Sequence, residues 1–397
     1  MNKINIIGIN PGKKFNDDEL YCINNSDVIF SGRRNINLLN NINKNKIEIK
    51  NMDSFLDGLR KYFNDNKIIT VIVSGDPLFY SIGKLIVNNF DRKFIDVIPG
   101  VGTLQIAMAK IKEDYNNIDV ISLHGRSIKG LAQRIRFHNK IFLFTDKINT
   151  PSYIAKYLID FNLNNFIAYV FENLGYENER IGKYNLNDLI NMEFSDLNVI
   201  LLKKCRDNII NLDDENFTKK NNNITKKEVR SIDISDMNIK NGDTVWDIGS
   251  GTGSISIETS FIDGNGRIYS IEKDVASCSN IIENMKRFSA DLNVINGEAP
   301  AVLQDIGDDP DVVFIGGSSS KIEGIIEYSY RRLKTSGIMV VNTTTVENMV
   351  RAYNKMRGIN MNVDIKQVNI SRSRDINNLT RFVPLDQIYI LKGVKNE

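Results

Sequence analysis

Short runs of β-branched and aromatic residues recur along the chain, each separated from the next by a segment whose apolar positions follow helical spacing. In the first half these runs are "INIIGI", "IITVIVSG", "IDVIPG", "IDVISLHG", "KIFLFTD", "NFIAYVFENLG" and "LNVILLK". In the second they are "DTVWDIGSG", "GRIYSIEKD", "LNVINGE", "PDVVFIGGS", "SGIMVVNTT" and "DQIYILKG". Continuous apolar strands divided by helices predict parallel sheets covered on both faces, so both halves read as α/β. In such sheets ligands bind beyond the carboxyl ends of the strands, where most of these runs close on a glycine or an acid.

Between the two sets lies "RDNIINLDDENFTKKNNNI", polar, charged and rich in asparagine, directly after an apolar run that reads as a last strand. Little in it can join a core, so it predicts a linker at 207–223 between a domain over 1–206 and another over 224–397. A length of 397 residues exceeds one ordinary domain and agrees with two.

Composition narrows the classes of function. Lys and Arg number 51 against 49 Asp and Glu, too even a balance for the basic face of a nucleic-acid binder. No apolar run approaches the roughly 18 residues of a membrane span, and "MNKINIIGINPG" is too short and polar for a signal peptide. The expectation is a cytoplasmic protein with no membrane or nucleic-acid partner. Cys22, Cys205 and Cys278 are scattered, and His124 and His138 are the only histidines, so no zinc site is expected and the cysteines read as reduced thiols.

The densest chemical signal is "VWDIGSGTGSISIE". Gly249, Gly251 and Gly253, with Ser250 and Thr252 between them, follow a strand and precede a helix, letting the backbone turn tightly beside a ligand. The next strand ends in Glu272, placed to accept hydrogen bonds from ribose hydroxyls. A third turn, "NVINGEAP", presents Gly297, Glu298 and Ala299 where an adenine ring could lie. Any one of these reads equally as a plain connecting loop; three at consecutive strand ends predict a nucleotide site. NAD is a competing ligand, though the glycines follow GxGxG rather than GxGxxG.

This order of motifs resembles the class I S-adenosylmethionine-dependent methyltransferases, which implies a Rossmann-like sheet in the second half. Amine methyltransferases of that class often carry an Asn/Asp-Pro-Pro-aromatic turn after the fourth strand. Here the turn is "VVFIGGSSS", and Gly316 and Gly317 suggest an open floor for a large flat acceptor. "TKKEVRSIDIS", "IGGSSSKIEGII", "VNTTTVEN" and "ISRSRDI…TRFVPLDQIYILKG" resemble the C-terminal domain of the decarboxylating precorrin-6Y C(5),C(15)-methyltransferase family, from about Thr225 to the end. By that resemblance Thr225, Gly249 to Gly253, Glu272 and Ala299 would contact S-adenosylmethionine. "RFVPLDQI" departs from the Asn-Pro more usual before the last strand.

The first half has no GxGxG. It carries "GINPG", "SGDPLFYSIG", "IPGVGT", "LHGR" and "FTDKINTP", each closing an apolar run. Asp76-Pro77 and Thr150-Pro151 read as polar caps with proline at the first helical position. As a set, with "SDVIFSGRRNINLL" and "YVFENLGYENERI", these motifs resemble the tetrapyrrole methylase superfamily, the class III methyltransferases, over residues 1 to about 205. The resemblance implies two α/β subdomains with the cofactor folded between them, lined by Ser74, Gly75, Asp76, Phe79, Gly102, Thr103 and Thr145. The usual turn is GxGPG; here Asn10 replaces the middle glycine, and its tolerance of left-handed backbone would preserve the turn.

Together the resemblances imply two methylations of a corrin precursor, at carbons 5 and 15, with loss of carbon dioxide from the ring C acetate and one S-adenosylmethionine site per domain. Arginine suits a polycarboxylate, and Arg33, Arg34, Arg126, Arg372 and Arg374 lie beside the motifs, with surface ion pairs as the alternative reading. Relatives of the C-terminal domain assemble, so a homo-oligomer is expected. An RNA or protein methyltransferase and a non-catalytic S-adenosylmethionine sensor stay open at this stage, as does cobalt in the substrate, and no catalytic acid or base is assigned.

Overall fold

Every apolar run above becomes a strand. A computed structural model describes residues 2–10, 14–207, 210–219, 224–316 and 321–396, and these fall into two compact units. The first comprises Met1–Arg126, Asn139–Tyr153 and Ile167–Lys204; the second comprises Ser127–His138, Ile154–Phe166 and Cys205–Glu397.

The first unit holds two five-stranded sheets. In one, β1 (Lys3–Ile9), β2 (Val28–Ser31), β3 (Asn45–Glu48), β4 (Ile68–Ser74) and β5 (Ile95–Ile98) run in the order β3-β2-β4-β1-β5, all parallel. The other contains β6 (Asp119–Ser122), β7 (Lys140–Phe144), β8 (Phe166–Glu172), β9 (Arg180–Asn185) and β10 (Asn198–Lys204) in the order β6-β7-β10-β8-β9. This sheet is mixed, contrary to the parallel expectation: β10 is antiparallel to β7, and β9 to β8. An apolar run reports burial on both faces and is blind to the direction of its neighbour.

The second unit is built on β11 (Thr244–Ile248), β12 (Arg267–Glu272), β13 (Asn293–Asn296), β14 (Val312–Ile315), β15 (Ile338–Thr343) and β16 (Met361–Val368). A hairpin of β17 (Ser371–Ile376) and β18 (Leu379–Pro384) precedes the last strand, β19 (Ile388–Lys395). The sheet order is β13-β12-β11-β14-β15-β19-β16, with β19 antiparallel to both neighbours. One face packs Trp246, Ile248, Val313 and Val341; the other packs Val245, Phe314, Val340 and Ile390.

The units do not follow the seam read from composition. Residues 127–138 and 154–166, upstream of it, cluster with the second unit. There Arg136, 4% exposed, donates to the carbonyls of Ser260, Phe288 and Ser289 and to Ser260 Oγ, its guanidinium 3.8 Å from the Phe261 ring centroid. The supposed linker is also partly core. Asp214 and Phe217 are buried, and Phe217 stacks against Phe288 with ring centroids 4.6 Å apart. One aromatic ring and one paired acid suffice to anchor a segment that its average composition marks as solvent-borne. Residues 208, 209 and 220–223 of that segment lie outside the described residues.

Candidate functional site

In the second unit, three turns meet at the carboxyl ends of β11, β12 and β13. Gly249, Gly251 and Gly253 all have φ between +57° and +79°, and the helix Ser254–Ile262 starts immediately after them. Gly249 has a second reason to be glycine: a Cβ there would lie 2.4 Å from the Gly316 carbonyl oxygen. A Cβ at Gly251 would meet nothing within 4 Å, so its backbone borders open space.

Glu272 ties the turns together. Its Oε2 accepts from the Gly251 amide at 2.9 Å, its Oε1 from Asp274 N at 2.9 Å, and its carbonyl from Gly297 N at 3.0 Å. Gly297 is therefore held against the end of β12, while Ala299 is buried and Glu298 pairs with Lys321 at 2.6 Å. Thr252 is buried, its carbonyl accepting from Asn284 Nδ2 at 3.0 Å. Ser250 closes the first turn by donating from Oγ to the Asp247 carbonyl at 2.7 Å.

Asp247 lies beneath this turn. Its Oδ2 accepts from Ser256 Oγ at 2.6 Å and from Ser256 N at 3.2 Å, while buried Oδ1 has no partner. Burial pushes its pKa up to about 6, against the opposing hydrogen bonds from Ser256 and Ser250. Asp247 thus secures the helix start. Thr225 is fixed indirectly: fully buried Arg230 donates to its carbonyl at 2.6 Å and pairs with Asp214 at 2.7 Å and Glu258 at 2.6 Å.

The reading of Gly316 changes. Its amide donates to Ile248 O at 2.8 Å, and a Cβ would press on Phe314 at 3.1 Å and Gly249 O at 3.2 Å. The glycine permits the first and fourth turns to approach; Gly317 lies outside the described residues. Arg372 also departs from expectation, since its guanidinium is taken up by Glu228 at 2.5 Å and Asp214 at 2.9 Å. Arg374 is exposed on β17, opposite Arg381.

In the first unit a cavity of about 1570 Å³ is lined by Ser74, Phe79, Thr103 and Thr145, and by Arg33, Arg34 and Arg126. Seven residues quoted from five separated motifs thus share one wall. Gly75, Asp76 and Gly102 are not part of the lining and act as framework. Gly75 has φ +72° and donates to Ile9 O at 2.8 Å; Gly102 precedes the helix Thr103–Ile111. Thr145 is buried, its Oγ1 donating to Asn198 at 2.6 to 2.7 Å. Ser74 Oγ lies 3.1 Å from Asn35 Oδ1.

Two local expectations need correction. Asp76 Oδ1 accepts from Leu78 N at 2.8 Å within a tight turn, and the next helix begins only at Gly83, so Asp76 caps no helix. Thr150 does cap one, accepting from Tyr153 N at 3.2 Å ahead of Pro151. Asn10 is absent from the residues with positive φ; its Oδ1 instead accepts from Val101 N at 2.8 Å, bridging the turns after β1 and β5. Pro11, Gly12 and Lys13 lie outside the described residues.

Periodicity concealed one polar pair. Asp233 is fully buried, and its Oδ2 accepts from Asn342 Nδ2 at 2.7 Å at the end of β15. Burial holds its carboxyl well above the usual range, opposed by the Asn342 hydrogen bond. An acid at a core-facing position of an amphipathic helix was the available signal.

Comparison with known proteins identifies a family for each half of the chain. Residues 215–395 match the precorrin methyltransferase domain family, and residues 22–190 match the tetrapyrrole (corrin/porphyrin) methylases. The "Precorrin-6Y C(5,15)-methyltransferase [decarboxylating]" of a Sinorhizobium species is 26% identical over 80% of this chain and 77% of its own length. The "Probable cobalt-precorrin-6B C(15)-methyltransferase (decarboxylating)" of Saccharolobus solfataricus is 36% identical over 43% of this chain and 88% of its own. The "Probable cobalt-precorrin-7 C(5)-methyltransferase" of Methanocaldococcus jannaschii is 32% identical over 49% and 95%. On these matches the chain belongs to the precorrin methyltransferases, with a tetrapyrrole methylase domain in its first half.

Proposed function

We propose that this chain methylates a corrin precursor twice, at carbons 5 and 15, and removes carbon dioxide from the ring C acetate, in cobalamin biosynthesis. The methyl donor of the family is S-adenosylmethionine, and we assign one donor site to each half: residues 1–206 for carbon 5, residues 224–397 for carbon 15 and the decarboxylation. The observation that carries the reading is that one chain matches both families, with a cavity lined by motif residues in its first half and a glycine turn held to an acidic strand end in its second.

In the second half the residues fit the donor. Glu272 stands beside Gly251, whose missing side chain leaves room for close approach. Glu272 would receive ribose hydroxyls, the turn from Ser250 to Gly253 would lie along the amino-acid end, and Gly297 to Ala299 would cover the adenine. In the first half Ser74, Thr103 and Thr145 would supply the polar contacts and Phe79 an apolar face. The bound donor supplies an electrophilic methyl group. The chain's own contribution is alignment of the acceptor carbon and exclusion of water. Arg33, Arg34 and Arg126 on the cavity wall would hold substrate carboxylates. We also take the active form to be an assembly of identical chains.

Mass spectrometry of products from cobalt-precorrin-6B, and from its metal-free equivalent, tests this directly. Wild type is expected to add two methyl groups and lose one carbon dioxide. Gly251→Arg should retain only the carbon 5 methylation, read with cobalt-precorrin-7 supplied as substrate, and Asp76→Arg only the carbon 15 methylation and decarboxylation. No mass change with either substrate would refute the assignment.

A further inference from the structure

The cavity of the first unit contains one group that the reading above leaves unused. His124, in the turn after β6, lines the same wall as Thr103, Thr145 and Phe79. Its Nδ1 lies 3.2 Å from the Thr145 carbonyl oxygen. A carbonyl oxygen only accepts, so Nδ1 carries the ring hydrogen and Nε2 keeps its lone pair. Among the described residues nothing hydrogen-bonds to Nε2.

The other titratable groups on this wall are committed or unsuitable. Arg33, Arg34, Lys84 and Arg126 are cations with no lone pair to offer. Asp146 is burdened by burial, yet amides of Asn149, Gly125 and Ile148 outweigh this and hold its carboxyl below the usual range. Asp196 pairs with Lys147 at 3.1 Å. Tyr80 donates its hydroxyl to Val120 O at 2.8 Å, and Tyr176 is a phenol, a far weaker base than imidazole.

We propose that His124 accepts the proton released when the meso carbon is methylated in the first unit, a role that rests on the proposed function. Replacing a ring C–H by C–CH3 liberates one proton. After methyl transfer the acceptor carbon bears both hydrogen and methyl, and the macrocycle holds the positive charge formerly on the sulfonium. The C–H bond then breaks, its electron pair returns to the conjugated ring, and the proton passes to Nε2. The imidazolium keeps its Nδ1–H bond to the Thr145 carbonyl, which such a charge strengthens. His124 is exposed, so solvent can take the proton afterwards.

The test uses the full chain with His124→Asn and His124→Ala, the substrate above, and a substrate deuterated at carbon 5. Both variants are expected to carry out carbon 15 methylation and decarboxylation normally and to slow carbon 5 methylation by about 100-fold or more. They should also show a primary deuterium isotope effect that the wild type lacks, and added imidazole should restore part of the rate in His124→Ala. Independently of turnover, nitrogen-15 NMR should report His124 as the Nδ1–H tautomer. Unimpaired carbon 5 methylation, a loss showing neither isotope effect nor imidazole rescue, or an Nε2–H tautomer would each overturn the proposal. Absence of both methylations in the wild type would overturn the substrate assignment and this role with it.

Discussion

Asp247 illustrates how far one residue's role depends on what surrounds it. In the sequence it is the acid before a glycine turn; in the fold it is a buried carboxyl with one oxygen on Ser256 and the other without a partner. The folded state holds its proton to about pH 6, whereas the unfolded chain releases it near 4. The folded state binds more protons across that window, so this group's contribution falls as pH rises from about 4 to about 6 and is level above. Asp247→Asn keeps an acceptor for Ser256 and removes the charge. Urea unfolding should show the variant more stable than wild type at pH 7.5, by up to about 3 kcal/mol, with the gap closing near pH 4. A less stable variant at neutral pH would mean that the fold compensates the ionised carboxylate.

Among elements, the decisive events are turns that touch other turns. Gly249 and Gly316 belong to loops after β11 and β14, and their backbones approach so closely that one methyl group cannot be inserted. Gly249→Ala combines left-handed backbone with a contact onto a carbonyl, each costing on the order of 1 kcal/mol or more. The expected outcome is loss of carbon 15 methylation with carbon 5 methylation intact, read from the same mass spectra. In the first unit Asn10 performs a related task by another route, its side chain reaching from the turn after β1 to the Val101 amide. The strands that escaped sequence reading were β2, which is short though apolar and buried, and β3, β9, β16, β17 and β18, which have no continuous apolar run. β16 alternates with polar residues, while β17 and β18 are almost wholly exposed.

For the whole molecule, that exposed hairpin bears on assembly. Leu379 and Phe382 on β18 are 75% and 73% exposed, large apolar side chains that water disfavours and that contact between copies would cover. Light scattering after size exclusion should give a multiple of the 45.1 kDa chain mass, and Leu379→Ser with Phe382→Ser should reduce it. A monomeric wild type would remove the oligomer from the proposal. No helix among the described residues is long and apolar enough to cross a membrane.

Local chemistry was enough to locate most strands, their terminal turns and seven residues of the cavity lining. Burial demands apolar runs, and glycine accepts at the least steric cost the backbone angles that these turns adopt. That is why Gly249 to Gly253 and Glu272 were legible before any fold was seen. Sheet direction, the placement of residues 127–138 and 154–166 with the second unit, and the commitment of Arg372 to Glu228 and Asp214 were decided only in three dimensions. Each depends on partners distant along the chain, and composition averages over a segment what one buried contact determines. His124 belongs to both classes: its residue type marks it as a possible base, but the carbonyl of Thr145, twenty-one residues away, sets which nitrogen is free.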